Sequence, residues 1–122
     1  AKAMDEVVIA LMIEKKGAVE QLDEILAVPG IDMVQFGPSD YSISIGKPGR
    51  GGDPEVQEAH QKMIERALAA EVHPRVELGS LEQAKRYMDM GVRHFCVGWD
   101  IGIIFGWCKQ QGKFIEELGL RK

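Results

Sequence analysis

The chain is poor in cysteine, in aromatic residues and in positive charge. Its 122 residues include two cysteines, two tryptophans, two tyrosines and four phenylalanines. The lone cysteines, Cys96 and Cys108, fit a reducing cytoplasm and are expected to be small buried thiols. Fifteen Lys and Arg against nineteen Asp and Glu leave a net charge of −4, and no basic stripe forms. That balance, with aromatics at 7%, argues against nucleic acid as a partner. The longest uninterrupted apolar run, Val7 to Ile13, is far too short to span a bilayer, so no membrane partner is expected. The opening Ala-Lys-Ala-Met-Asp-Glu lacks the charged start and long apolar core of a secretion signal. His60, His73 and His94 match no zinc spacing and are read as structural or solvated. Gly49-Arg50-Gly51-Gly52 lacks the Lys-Ser/Thr of a phosphate loop and joins no strand directly to a helix. It is expected to be a mobile active-site loop rather than a nucleotide site.

What is present reads as four strand-helix units in one domain. Ile9-Ala10-Leu11-Met12-Ile13 and Met33-Val34-Gln35-Phe36 are nearly continuous apolar runs, as in strands of a parallel sheet buried on both faces. A helix from about Ala18 to Leu26 follows the first, with Val19, Leu22, Ile25 and Leu26 on one face. Pro29-Gly30 turns the chain into the second strand. Residues 37–52 are polar and hold five of the fourteen glycines, which predicts a long loop. Asp53-Pro54 opens a helix whose apolar positions recur to about Ala70, with Asp53 as cap. Pro74 to Leu78 is a short third strand. Ser80 and Gln83 have capping-box spacing at the start of a helix that Gly91 ends. His94 to Gly98 is the fourth strand, and a last helix runs from about Ile103 to Leu118.

Strand alternating with helix four times implies a parallel sheet with right-handed crossovers. Such a sheet is either a small open one, flavodoxin-like, or half of an eight-stranded barrel. A full barrel needs about 250 residues. A chain that begins at Ala1 and runs from an acidic start straight into a strand is expected to be a cut one, residues 1–122 forming a single partial domain. A half-barrel of this kind carries two exposed sheet edges.

Two carboxylates stand at strand ends: Glu14 closes the first apolar run and Asp40 follows the second. Ligands of parallel α/β sheets bind at the carboxyl ends of the strands. Two carboxylates placed there on consecutive strands suit one hard divalent cation. Asp100 follows the fourth strand in the same way and is read as a cap of the next helix. Trp99, Ile103, Ile104, Phe105 and Trp107 are expected to pack as core or to form a subunit interface.

Leu11-Met12-Ile13-Glu14 and Gly37-Pro38-Ser39-Asp40-Tyr41-Ser42 carry a resemblance that extends through Asp53-Pro54-Glu55-Val56 and His94-Phe95-Cys96-Val97-Gly98-Trp99-Asp100. Over nearly its whole length the chain resembles the carboxyl-terminal half of the HpcH/HpaI aldolase family. The resemblance implies half of a (β/α)8 barrel, about four βα units, in a cytoplasmic homo-oligomer. It implies a class II aldolase that cleaves a 4-hydroxy-2-oxo acid to pyruvate and an aldehyde through a metal-stabilised enolate. Glu14 and Asp40 would then bind Mg²⁺, Mn²⁺ or Co²⁺, and the backbone around Gly37, Pro38 and Ser39 would hold the carboxylate of pyruvate. The arginine and histidine that complete catalysis in this family lie in its amino-terminal half, so no catalytic residue is assigned here. Met12, Tyr41 and Ile45 depart from the family pattern. So does the polar third strand, whose Arg75 or Glu77 is expected to meet a different aldehyde. Two alternatives are an acyl-CoA lyase of the citrate lyase β-chain or malyl-CoA lyase type, and a non-catalytic half-barrel that needs a partner chain.

Overall fold

The chain's hydrophobic periodicities resolve into four strands and six helices in a computed structural model that describes residues 6–120; the expected cut edge at Ala1 lies outside them. The order is β1 (Ala10–Ile13), α1 (Lys16–Glu20), α2 (Leu22–Leu26), β2 (Met33–Phe36), α3 (Pro38–Ser44) and α4 (Pro54–Ala69). It continues with β3 (His73–Leu78), α5 (Leu81–Asp89), β4 (His94–Val97) and α6 (Asp100–Glu117). All strand pairs are parallel and lie in the order β1-β2-β3-β4. Sequential order rules out the flavodoxin-like sheet, in which the second strand lies outside the first. It is the winding of a barrel wall.

Helices cover one face of this sheet. Ile13, Val34, Phe36, Pro74, Val76 and Leu78 are buried beneath them, α4 packing on β2 and β3 and α5 on β3. Val56, Met63 and Ile64 of α4 are fully buried in the same cluster. Each such side chain contributes about 1.5–3 kcal/mol by leaving water. The other face carries Met12, Gln35, Arg75, Glu77 and Cys96, side by side in register. Burial alternates along β3, and along β1 only Ile13 is buried, which corrects the expectation for β1; β2, buried at Val34, Gln35 and Phe36, meets it. Among the described residues nothing lies across the second face as the helices lie across the first.

Several local features also differ from the sequence expectation. The helix expected from Ala18 to Leu26 is two short helices, broken at Gln21. The loop expected over residues 37–52 contains α3, with Pro38 at its first position. Asp53 makes no cap bond from its side chain; its carboxylate is held by Arg50 Nε instead. Ser80 likewise makes no side-chain cap bond, and Gln83 Oε1 accepts the N–H of Gly79 at 3.2 Å. Asp100 lies within the first turn of α6, with Trp99 at the N-cap.

The ends of α4 and α5 are built alike. At α5, Gly91 takes φ +106° and the N–H of Val92 reaches back to the carbonyl of Tyr87. At α4 the equivalent position is Glu71, at φ 59°, with Val92's part taken by Val72 bonding to Ala67. Both are Schellman closures, one made with the residue that suits it and one without.

No residue of α6 is buried. Ile103, Ile104, Phe105 and Trp107 are each more than 60% exposed. The expectation that they pack as core is corrected: no partner surface for them lies among the described residues. Cys108 is exposed and Cys96 half-buried, which also corrects the expectation of two buried thiols.

Candidate active site

Glu14 and Gly37 stand beside each other at the carboxyl ends of β1 and β2. The N–H of Gly37 donates to the carbonyl of Ile13 at 3.1 Å, continuing the ladder one step beyond the Ile13–Phe36 pair. The side chain of Glu14 crosses over Gly37. A Cβ at position 37 would sit 2.9 Å from Glu14 Cβ and 3.1 Å from its Oε2, a collision. Only glycine leaves the half-buried Glu14 carboxylate this place.

Asp40 is exposed in the first turn of α3, where a negative charge is favoured by the helix dipole. Two bonds fix this helix at the site. Ser42, fully buried, donates to the carbonyl of Ser39 at 2.7 Å, and Ser44 Oγ accepts the N–H of Lys16 at 3.0 Å. The second bond ties α3 to the segment that follows Glu14. Tyr41 is buried on Phe36, with ring centroids 5.2 Å apart. Burial, then the charges of Glu55 and Glu20, push its phenol pKa up, so it stays protonated.

The three residues expected to hold a carboxylate contribute unequally. Gly37 has spent its N–H on β1, and Pro38 has none. The N–H of Tyr41 turns back to the carbonyl of Gly37 at 2.8 Å. That leaves the first-turn amides of Ser39 and Asp40 as the donors of this corner. Gly51 lies against the backbone of Pro38, and its carbonyl accepts from Gln57 Nε2 at 3.0 Å. Turns at Arg50 and Asp53 tie the glycine-rich segment to α4 further.

From Pro38 and Ser39 a cleft of about 450 Å³ opens across the ends of β3 and β4. Glu77, Leu78 and Gly79 line its middle, and Cys96, Gly98 and Trp99 its far side. Gly98, at φ +78°, turns the chain there, and the indole of Trp99 rests on Gly102. Gly79, Cys96 and Gly98 are cleft residues that the sequence pattern does not single out. The signal for them is shared distance from the strand ends, usable only once register is known.

The sequence motifs do not all converge. Among the described residues no three His, Cys, Asp or Glu groups gather into a metal cage. Glu14 follows β1 and Asp40 lies in the first turn of α3, after β2, and neither is among the residues that line the cleft. Mg²⁺ and Mn²⁺ are commonly held by one or two carboxylates with water and substrate oxygens completing the shell, so this donor set fits such a cation. His73 and His94 face each other at the opposite end of the strands, ring centroids 4.9 Å apart. His60 is buried behind the sheet, stacked on Phe36 at 5.0 Å. Neither group lines the cleft.

A wall of parallel βα units in sequential strand order, with a cleft at its strand ends, defines a portion of a (β/α) barrel. The chain belongs to the HpcH/HpaI aldolase/citrate lyase family, whose model matches residues 2–104. It is 34% identical over 103 residues to a 4-hydroxy-2-oxo-heptane-1,7-dioate aldolase of Shigella sonnei (strain Ss046), covering 84% of this chain and 39% of that one. To a hydroxypyruvate/pyruvate aldolase of Delftia acidovorans (strain DSM 14801 / SPH-1) it is 35% identical, covering 84% and 38%. Among solved structures it is similar to citrate synthase SbnG, with a TM-score of 0.89 and 27% identity over 98% of this chain and 49% of that one. The HpcH/HpaI aldolase from Desulfitobacterium hafniense DCB-2 gives 0.83 and 29% over 95% and 45%. The chain thus spans about two fifths of the curated relatives' length, and its fold is a portion of a barrel of the aldolase type, as the sequence predicts.

Proposed function

We propose that these residues are the metal- and pyruvate-binding half of a cytoplasmic, divalent-metal-dependent aldolase. Its reaction splits a 4-hydroxy-2-oxo acid into pyruvate and an aldehyde, and residues 1–122 form the carboxyl-terminal half of its single barrel domain. The observation that carries this reading is the seat of Glu14 on Gly37, beside the first turn of α3 that bears Asp40. Glu14 and Asp40 are the residues to hold Mg²⁺, Mn²⁺ or Co²⁺. Bound there, the cation supplies Lewis-acid charge where negative charge develops as the C3–C4 bond breaks. The amides of Ser39 and Asp40 bind the carboxylate of the 2-oxo acid and orient it. Pro38, with its fixed backbone angle, presents those amides on a rigid turn.

The apolar residues of α6 are the surface on which the chain assembles as a homo-oligomer. Phe105 and Trp107, both large and exposed, are the natural anchors of such a contact.

The reading is tested by following pyruvate release from a 4-hydroxy-2-oxo acid, with EDTA and with Mn²⁺ restored. Release that stops with EDTA, returns with Mn²⁺ and is abolished in Asp40→Ala supports it. Full activity in Asp40→Ala refutes it. A second reading rests on the outer edges of β1 and β4, which no strand pairs among the described residues: this segment alone is inert and works only joined to another half. Activity in a longer natural chain containing these residues, with none in the 122 residues alone, selects that reading. Saturable binding of a CoA thioester instead favours the acyl-CoA lyase chemistry.

A further inference from the structure

We infer that Glu77 selects the aldehyde half of the substrate, accepting an uncharged hydroxylated tail and turning away a tail that ends in a second carboxylate. The inference rests on the aldolase reading above. It concerns the part of the cleft that the pyruvate corner does not use.

Among the described residues Glu77 is the one charged residue lining the cleft. It lies on β3, directly opposite Cys96 on β4, one strand over from the Ser39 end. Neighbouring strands are about 4.8 Å apart, so a substrate held at Ser39 by its carboxylate reaches Glu77 with its distal carbons. The lining around it is small or apolar: Leu78, Gly79, Cys96 and Trp99. Polar selection in this part of the cleft therefore falls to one carboxylate.

That carboxylate is held in place from behind. Gln35, only 4% exposed, donates from Nε2 to Glu77 Oε1 at 2.9 Å. The same amide accepts from Arg75 Nη1 at 2.5 Å through its oxygen. A cation on the oxygen and an anion on the nitrogen leave the amide one orientation. Gln35 thus keeps Arg75 and Glu77 apart while linking them, and no ion pair joins the two among the described residues. Arg75 does not line the cleft. Its charge is not presented to the substrate, and that of Glu77 is.

A carboxylate with one oxygen anchored has acceptor capacity left on the other. It suits a substrate hydroxyl, which donates. A second carboxylate on the tail meets like charge with no cation in the lining to offset it. The named substrate of the Shigella relative is such a dioate; this cleft is built for a different tail.

The test is aldol addition of pyruvate to two aldehydes, the neutral hydroxylated glycolaldehyde and the longer, anionic succinic semialdehyde, with Mn²⁺ present; the change of their ratio on substitution of Glu77 reads charge apart from length. It uses the longest natural chain that carries these residues, which is this chain if none is longer. The expected kcat/KM favours glycolaldehyde by about 10- to 100-fold. In Glu77→Gln, which keeps an acceptor for Gln35, the penalty on succinic semialdehyde falls by about 10-fold. In Glu77→Leu the advantage of glycolaldehyde is lost. Equal use of both aldehydes by the unaltered protein, or a ratio that Glu77→Gln leaves in place, overturns the inference. Exchange of the methyl protons of pyruvate in D₂O is measured alongside, without aldehyde. Exchange with no discrimination between aldehydes refutes the role of Glu77 alone; absence of exchange refutes the aldolase reading and this inference with it.

Discussion

Acid destabilises this fold through one histidine. His60, in α4, is 9% exposed, stacked on Phe36 at an interplanar angle of 9° and tilted against Tyr87. Burial lowers its pKa from 6.5 to about 4, and the nearby Arg86 guanidinium adds to the effect. Between those values the unfolded chain binds a proton that the folded chain does not. The contribution is therefore complete above pH 6.5 and is lost progressively as pH falls toward 4. At about 1.4 kcal/mol per pKa unit, the loss by pH 4 is roughly 3 kcal/mol. Urea unfolding followed by far-UV circular dichroism at closely spaced pH values measures it; both tryptophans, Trp99 and Trp107, are exposed on or beside α6 and report the core poorly. His60→Phe keeps an aromatic partner for Phe36 but does not titrate. The stability difference between the two proteins should shift by roughly 3 kcal/mol in favour of the variant from pH 7 to pH 4. A difference independent of pH would mean that His60 is as easily protonated in the folded chain as in the unfolded one, and the burial argument would be wrong.

Three further outcomes are expected. Gly37→Ala drives a Cβ into Glu14 and should cost about 1–3 kcal/mol in stability while removing metal-dependent turnover, read by urea unfolding beside the pyruvate assay. Glu71→Gly relieves a left-handed residue at the end of α4 and should stabilise the fold by about 1 kcal/mol, seen as a higher urea midpoint at unchanged slope. Trp107→Asp combined with Phe105→Asp should convert the assembly to monomers in analytical ultracentrifugation without loss of helical signal. An unchanged sedimentation coefficient would remove α6 from the interface.

The units of the fold are legible in the sequence because each is punctuated. Pro54 opens α4 and Gly91 closes α5, as their chemistry predicts. The third strand forms despite the charges of Arg75 and Glu77, since Pro74, Val76 and Leu78 alternate with them and fill the covered face. What escapes the sequence depends on partners. No glycine or proline marks the break at Gln21, and α3 is hidden in a segment whose glycines suggest a loop. Apolar residues on α6 predict burial, but the surface that would bury them is not among the described residues. Two strand-end carboxylates are legible as candidates because residue type and strand end are both sequence properties. The position of Glu14 over Gly37 and the link from Arg75 through Gln35 to Glu77 depend on register, which a single sequence does not state.

The sequential strand order also bears on how the chain reaches its fold. Each strand pairs with the one made just before it, so a growing chain always finds its template already in place at the sheet's edge. Closure costs stay low because no pairing waits for a distant segment. The wall can be laid down from β1 toward β4 as synthesis proceeds, each helix sealing its strand before the next emerges. The edge that β4 leaves open is then the place where assembly, within a chain or between chains, takes over from folding.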